Sequence, residues 1–339
     1  MTLLSLQSIS HRYPATSSPL PVLSKVALDV DQDSVVAVVG ESGCGKTTLG
    51  RVAIGLIKPL AGRVLYGGKD VSEMRRDEWN DYRRAVQVIH QDPYSSLNPG
   101  LSVADTLQPG LIHHRIVPRR DLRREVLRLL ELVGLDTTEA FLRRYPHQLS
   151  GGQRQRLAIA RAVSLRPKLV VADEAVSMLD VSMRVSVLDL LLSLRSEQHL
   201  SYIFISHDFG VVRYIAQGGR IVVMFFGVVV EEGPAEQLIR HPRHPYTFLL
   251  LDAIPVPDPR LARRRRTEAT RTVEERIERA PAHVGCVFSN RCPYAEDLCR
   301  TTRPELVELA PGHRAACHFP ERVPNLAMVT EESISSPSG

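Results

Sequence analysis

The feature that most constrains this chain is Gly40-Glu41-Ser42-Gly43-Cys44-Gly45-Lys46-Thr47-Thr48, which fits the G-x-x-x-x-G-K-[ST] phosphate-loop pattern in full. Val35 to Val39 ahead of it reads as a buried strand, and a helix is expected behind it. In that setting the loop amides wrap phosphate, Lys46 adds a positive charge, and the Thr47 hydroxyl can ligate magnesium. The plain alternative is a glycine-rich turn before a helix, which the complete strand, loop and helix context disfavours. Cys44 occupies a variable position and reads as a small filler rather than a redox switch.

A second anion site lies more than a hundred residues downstream, at Leu149-Ser150-Gly151-Gly152-Gln153, continuing Arg154-Gln155-Arg156. Ser150 suits the cap of a following helix, and the two glycines let a ligand approach the amides at that helix's positive end. Two phosphate sites in one domain ask for an explanation.

Bulk properties limit that explanation. With 339 residues, 43% apolar and 24% charged, the chain can bury a substantial core, and its length suits one large domain plus a smaller one. Its most apolar stretches, Val35 to Val39, Leu169 to Ala172 and Ile221 to Val230, are too short or too interrupted to cross a bilayer, and the N-terminus lacks a signal pattern. A soluble, cytoplasmic protein is the expectation. The net charge of +5 suits nucleic acid or an anionic membrane surface but decides little, because the basic residues are scattered apart from one run at Arg263 to Arg266.

Short β-branched runs alternate with helical patterns, the signature of a mainly parallel sheet with crossover helices. Strands are expected at Val35 to Val39, Val86 to Ile89, Leu169 to Ala172, Tyr202 to Ile205 and Ile221 to Met224. Leu122, Val126, Leu129, Leu130 and Val133 fall on one helical face, with Arg123, Arg124, Glu125 and Arg128 on the others, which reads as a helical insertion between strands. Near residue 255 the composition changes. Pro255, Pro257 and Pro259 precede the arginine run and a charged stretch to Arg279, which fits a linker or exposed helix, and the serine-rich end from Val329 to Gly339 is expected to fray.

Lys168 to Glu174 reads as a buried strand ending in two carboxylates. Asp173 is placed to hold magnesium directly or through water, and Glu174 to accept a proton from an attacking water. Alone, such an ending is as often a solvated turn; beside a complete phosphate loop, that alternative becomes minor.

The order of these elements resembles the ATP-binding-cassette (ABC) ATPases over nearly the whole chain. The phosphate loop, Leu149 to Gln153, the Asp173-Glu174 strand, Ser177-Met178-Leu179-Asp180 and Ile205-Ser206-His207-Asp208 follow in that family's order. The resemblance implies an α/β cassette with a mainly parallel core sheet, an antiparallel N-terminal β-subdomain, a helical subdomain over about 95–165 and a small Cys-rich C-terminal extension. It divides the chain into a nucleotide-binding domain at 1–255, the extension at 256–328 and a flexible tail at 329–339. Cassettes of this kind pair head to tail, so Leu149 to Gln153, with Asp180, closes over the nucleotide on a partner's phosphate loop. Gln91, in His90-Gln91-Asp92-Pro93, resembles the glutamine that senses the γ-phosphate or metal. Tyr13, in His11-Arg12-Tyr13-Pro14, resembles the aromatic that stacks on adenine, although such an aromatic can simply cover a sheet edge. His207 resembles the histidine that contacts the γ-phosphate and orients water, where a lone histidine is otherwise more often packed or solvated.

Within that family the resemblance is to ATPase subunits of dipeptide and oligopeptide importers, with nickel importers as near relatives. It rests on Gln91 to Pro99, on Gly233-Pro234 with His244-Pro245-Tyr246-Thr247, and on the cysteine-bearing tail. Ala175 stands where a proline is usual and Met178 where an alanine is usual, which puts turnover rate in doubt more than mechanism. Cys286, Cys292, Cys299 and Cys317 fall within 32 residues. Their gaps lack the short pair of a zinc site, and spacing alone leaves metal and inert thiols about equally open. The resemblance implies a [4Fe-4S] cluster, with His313 and His318 as possible substitute ligands. The implied partners are a second cassette, expected to be a different chain, two permease subunits and an extracytoplasmic solute-binding protein, with ATP and Mg2+ at the site and the cytoplasmic membrane face as the location. Two other readings stay open: a DNA- or ribosome-associated cassette, disfavoured by the single uninterrupted cassette, and an accessory subunit of a multi-enzyme complex.

Overall fold

The computed structural model describes residues 1–14, 21–254 and 284–325. The expected boundary at Pro255, Pro257 and Pro259, the Arg263 to Arg266 run and the Val329 to Gly339 tail lie outside those residues.

Strands β1 (Thr2–His11) and β2 (Leu23–Asp31) alternate apolar and polar residues and pair antiparallel, as a sheet with one buried face requires. Strand β3 (Val35–Val39) is buried throughout and runs through the phosphate loop into α1 (Lys46–Ala53). Strands β4 (Ala61–Tyr66) and β5 (Lys69–Asp70) complete a four-stranded sheet in the order β2-β1-β4-β5. After α2 (Arg76–Ala85) and β6 (Val86–Ile89) come the inserted helices α3 (Pro93–Ser96), α4 (Val103–His113), α5 (Leu122–Leu132), α6 (Glu139–Leu142) and α7 (Gly151–Val163). The chain then returns through β7 (Leu169–Asp173), α8 (Val181–Gln198), β8 (Ser201–Ser206), α9 (Phe209–Ile215), β9 (Arg220–Phe225), β10 (Val228–Pro234), α10 (Ala235–Arg240) and α11 (Pro245–Asp252). Residues 284–325 add α12 (Asp297–Thr301), β11 (Val307–Ala310) and β12 (His313–Ala315).

The large sheet has the order β11-β12-β10-β9-β3-β8-β7-β6. From β9 to β6 its strands are parallel, so the connections are helical crossovers and the strands are buried on both faces. The five expected strands all form. Because side chains alternate along β3, Val36 and Val38 pack with α1 and the N-terminal sheet, while Ala37 and Val39 pack with α9 and the cysteine-bearing segment. That segment therefore shares both its sheet and its apolar core with the cassette.

The inserted helices join α8 and one face of the core sheet in a single apolar cluster, into which α5 turns Val126, Leu129 and Leu130 with Val133 just beyond, as its periodicity predicts. Glu125 departs from the expected polar face. It is buried, and Arg128 holds it through Nε and Nη2 at 3.0 and 2.8 Å, which keeps its carboxyl below the usual range. A short-range ion pair lets a charge enter a face that hydropathy alone assigns to solvent.

Candidate active site

The phosphate loop turns where only glycine fits. A Cβ on Gly40 would strike the carbonyl oxygen of Met224 on the neighbouring strand, and Gly45 combines φ of 106° with Val22 O at 2.5 Å from an added Cβ. Lys46 is buried and its Nζ donates to Gly40 O at 2.7 Å and Glu41 O at 2.9 Å. The lysine is thus held by the rim of the loop, with its charge inside the turn. Ser42 and Gly43 lie along that turn, and Cys44 is buried, its thiol pushed up by burial, which suits a filler. The Tyr13 hydroxyl lies 3.3 Å from Thr48 Oγ1, so this side chain sits beside the loop's helix.

The acidic pair reaches the same edge of the sheet. Thr47 Oγ1 donates to Asp173 Oδ1 at 3.1 Å, although the two residues are far apart in sequence. Burial raises the Asp173 carboxyl despite that hydrogen bond, and the adjacent Glu174 charge adds to it. A half-buried carboxylate beside a hydroxyl fits a hard cation completed by phosphate and water oxygens, so Thr47 and Asp173 suit Mg2+.

Glu174 is where the remaining groups converge. Its Oε2 accepts from Gln91 Nε2 at 3.0 Å, and its Oε1 lies 3.1 Å from His207 Nδ1. The carboxylate is mostly buried, at 13% side-chain exposure, while His207 is at 47%, so the histidine opens to solvent rather than packing into the core. The Glu174 backbone adopts φ of 47°, a left-handed conformation costing on the order of 1–3 kcal/mol in a non-glycine residue. Its N–H donates to Ile205 O, and its carbonyl accepts from Ser177 N and Oγ. These bonds hold the turn with Ala175, itself buried, in the position where proline was the expectation. Met178 is exposed.

At the second anion site, Ser150 Oγ accepts from Gln153 N at 3.2 Å and Gln153 Oε1 accepts from Ser150 N at 3.0 Å, a reciprocal cap on α7. An added Cβ at Gly151 meets nothing, leaving that amide approachable, whereas one on Gly152 would strike the Met183 thioether. Gly152 thus packs directly under the Met183 side chain, which would have to shift for any larger residue. Asp180 caps α8, accepting from Met183 N at 2.9 Å, which with Ser182 holds its carboxyl low.

Several contributors carry no local sequence signal. The guanidinium of Arg154 stacks 4.9 Å from the Tyr94 ring and Arg161 Nη1 donates to Ser96 O at 2.5 Å, so the segment after Gln91 is tied to α7. His90, beside Gln91, has its pKa lowered by desolvation of the ring and by the Arg161 charge.

In the C-terminal segment Cys286, Cys292 and Cys299 are buried, Cys317 is partly so, and all are free thiols. Burial pushes Cys292 up to about 12 and Cys317 up to about 11, and the charges of the neighbouring thiols add to both shifts. Sulfur donors of this kind suit an iron–sulfur group in their chemistry. Among the described residues, however, no group of three or more His, Cys, Asp or Glu side chains is arranged to hold a metal ion. His313 Nε2 is engaged by Glu231 at 2.7 Å and His318 Nε2 by Thr302 O at 2.9 Å, so in each ring Nδ1 is the nitrogen left to act as a substitute ligand.

A parallel sheet that delivers a phosphate loop and an acidic pair to one edge, with a helical insertion between them, defines a cassette-type ATPase. Comparison with known proteins agrees. The chain matches the ABC transporter family over residues 23–177 and the oligopeptide/dipeptide transporter C-terminal region over residues 230–299. It is 42% identical to a putative peptide import ATP-binding protein of Brucella ovis over 93% of this chain and 97% of that one. It is 42% identical to the oligopeptide transport ATP-binding protein OppF of Salmonella typhimurium, covering 88% and 87% respectively, and 38% identical to AppF of Bacillus subtilis, covering 94% and 97%. A dimeric ATP-binding cassette in a post-hydrolysis state bound to ADP and Pi superposes with a TM-score of 0.61 at 28% identity, over 69% of this chain and 99% of that one. The chain belongs to the family of ABC transporter ATP-binding proteins.

Proposed function

We propose that this chain is the ATP-hydrolysing subunit of a peptide importer. The observation that carries the catalytic reading is the Glu174 carboxylate, fixed between Gln91 and His207. Water attacks the γ-phosphorus, its proton passes to Glu174, and the bond to the bridging oxygen of ADP breaks. Gln91 and His207 hold the carboxylate so that one lone pair stays directed at water, and Lys46 with the loop amides takes the growing negative charge. Thr47 and Asp173, with Gln91 nearby, would hold Mg2+, which neutralises phosphate charge when bound. Tyr13, whose hydroxyl lies 3.3 Å from Thr48 Oγ1, is proposed to stack on the adenine ring.

Ser150 and Gln153 cap α7 and Asp180 caps α8, and these residues, with Gly151 and Gly152, are proposed to close over the nucleotide on a second cassette. That second cassette is proposed to be a different chain, joined to two permease subunits and served by an extracytoplasmic binding protein. No helix among the described residues is long and apolar enough to cross a membrane; peripheral attachment at the cytoplasmic face through such a permease is proposed from the similarity to oligopeptide transport ATP-binding proteins. Peptide is favoured as the solute by the names of the relatives and by the match of the C-terminal region. We assign residues 1–255 to the nucleotide-binding domain, with a helical subdomain over about 95–165, and 256–328 to the extension. A [4Fe-4S] cluster on the four tail thiols is proposed from the family resemblance, with three of the four buried, although the described residues hold no metal-ready arrangement.

Purification of the tagged chain from its native membrane tests the assignment. A co-purifying permease, together with ATPase activity stimulated by a peptide-loaded binding protein, is the expected result. Salt-sensitive DNA binding without any membrane partner would overturn it. Iron and sulfide analysis of an anaerobic preparation decides the cluster, and a colourless, iron-free sample would reject it.

A further inference from the structure

The cysteine-bearing segment touches the phosphate loop itself. Arg291 Nη1 and Nη2 donate to Glu41 Oε2 and Oε1 at 2.9 and 2.7 Å, a two-pronged bond across 250 residues of sequence. Arg291 is only 14% exposed, and its guanidinium lies 5.4 Å from the Phe225 ring and 5.8 Å from the Phe288 ring. Both rings are buried in the core that the segment shares with β3 and β9. The Glu41 N–H donates to the Tyr246 hydroxyl at 2.8 Å, and the Glu41 carbonyl accepts from Lys46 Nζ at 2.9 Å.

Glu41 therefore brings a negative charge to a loop built to attract a polyanion. Like charges at short range repel, and inside a partly desolvated site the repulsion is weakly screened. An arginine that pins both carboxylate oxygens neutralises that charge and draws it toward the C-terminal segment. The rigid aromatic bed fixes where the guanidinium sits. The same arginine is positioned by its own turn, since its N–H donates to Phe288 O at 2.9 Å, and Cys292, the next residue, donates to that same carbonyl at 2.9 Å.

We propose that Arg291 is a positioning residue of the nucleotide site, which holds back and neutralises Glu41 so that the order of the cysteine-bearing segment sets the affinity of the phosphate loop for ATP. The inference rests on ATP binding at that loop, which a Mg-ATP titration of the unmodified full chain establishes separately. Because coupling between two sites is reciprocal, ATP must in turn stabilise the segment.

The test compares Mg-ATP affinity in Arg291→Gln, Glu41→Gln and the double variant, with thermal stability measured alongside. Arg291→Gln is expected to weaken Mg-ATP binding about fivefold, the lower end of coupling between sites. The double variant is expected to recover to within about twofold of the parent, because removing the unpaired carboxylate removes the repulsion. A brace that acts only on folding would lower stability without changing affinity, and that result overturns the proposal. A loss of affinity that Glu41→Gln does not rescue overturns it as well. Should Arg291→Gln not fold, amide exchange in the unmodified chain decides: saturating Mg-ATP is expected to slow exchange across residues 286–302 about fivefold, and unchanged exchange rejects the proposal.

Discussion

Glu174→Gln separates binding from chemistry more cleanly than any other single change. In the parent, the two carboxylate oxygens are engaged by Gln91 Nε2 at 3.0 Å and His207 Nδ1 at 3.1 Å. A glutamine can keep both contacts: its carbonyl oxygen accepts from Gln91, and its amide donates to His207 Nδ1 once the ring takes the other tautomer. Volume and backbone demands are nearly unchanged, and the bonds that hold the left-handed turn come from main-chain atoms and Ser177. The variant should therefore fold and bind Mg-ATP within about threefold of the parent, since no buried partner is orphaned. What it cannot do is accept a proton. General-base catalysis is worth about 10²- to 10⁴-fold, so kcat for ATP hydrolysis should fall by that factor, equivalent to about 3–5 kcal/mol of barrier. Phosphate release by the reconstituted transporter, read beside equilibrium nucleotide binding, makes the comparison. A fall in kcat of less than tenfold, or an equal loss of binding, would refute the role of Glu174 as base.

Asp173→Asn should raise the Mg2+ concentration needed for half-maximal ATP binding several-fold while leaving metal-free nucleotide binding intact, as a magnesium titration would show. Ser150→Ala removes the cap on α7 and should cost about 1 kcal/mol in urea unfolding. It should also lower hydrolysis in the paired cassettes more than it lowers ATP binding to the isolated chain. In metal-free protein the buried thiols give an alkaline limit. Because Cys292 and Cys317 are pushed above their ordinary value of 9.0, to about 12 and about 11, their contribution to stability is complete below pH 9 and is lost as pH rises through those values. Thiolate absorbance and amide exchange across residues 286–302 should therefore change together; protection that persists above that range would contradict the assigned burial.

His244 sets an acid limit by the opposite sign. Its ring is fully buried, its Nδ1 accepts from Tyr246 N at 3.1 Å, and burial lowers its pKa to about 3. The stability this provides is present above the ordinary histidine value of 6.5 and is lost as pH falls through about 3. His244→Asn retains a capping acceptor without that titration, so its acid unfolding curve should be flatter over this range.

Local rules carried a good deal of the structure. The glycine pattern with its lysine and threonine, the fully apolar strand ahead of it, the serine cap on α7 and the α5 stripe are each written in neighbouring residues. They follow from backbone geometry and from periods of two or 3.6 residues, so they can be read without knowing where the chain goes next. The acidic pair was legible as an ending, but its partners were not. Gln91 and His207 meet Glu174 only because β6, β7 and β8 lie side by side with their ends at one edge. The burial of Glu125 and the packing of Gly152 on Met183 depend in the same way on neighbours that local hydropathy did not supply.

The sequence by itself determined the phosphate chemistry, the identity of the acids and the alternation of strand and helix, because each is a property of a short stretch. Tertiary structure alone decided that the cysteine-bearing segment extends the core sheet through β12 and β10 and that Arg291 grips Glu41. A contact between residues so distant has no periodicity to announce it. It exists only once the parallel sheet has been ordered and both segments have been buried against the same aromatic core.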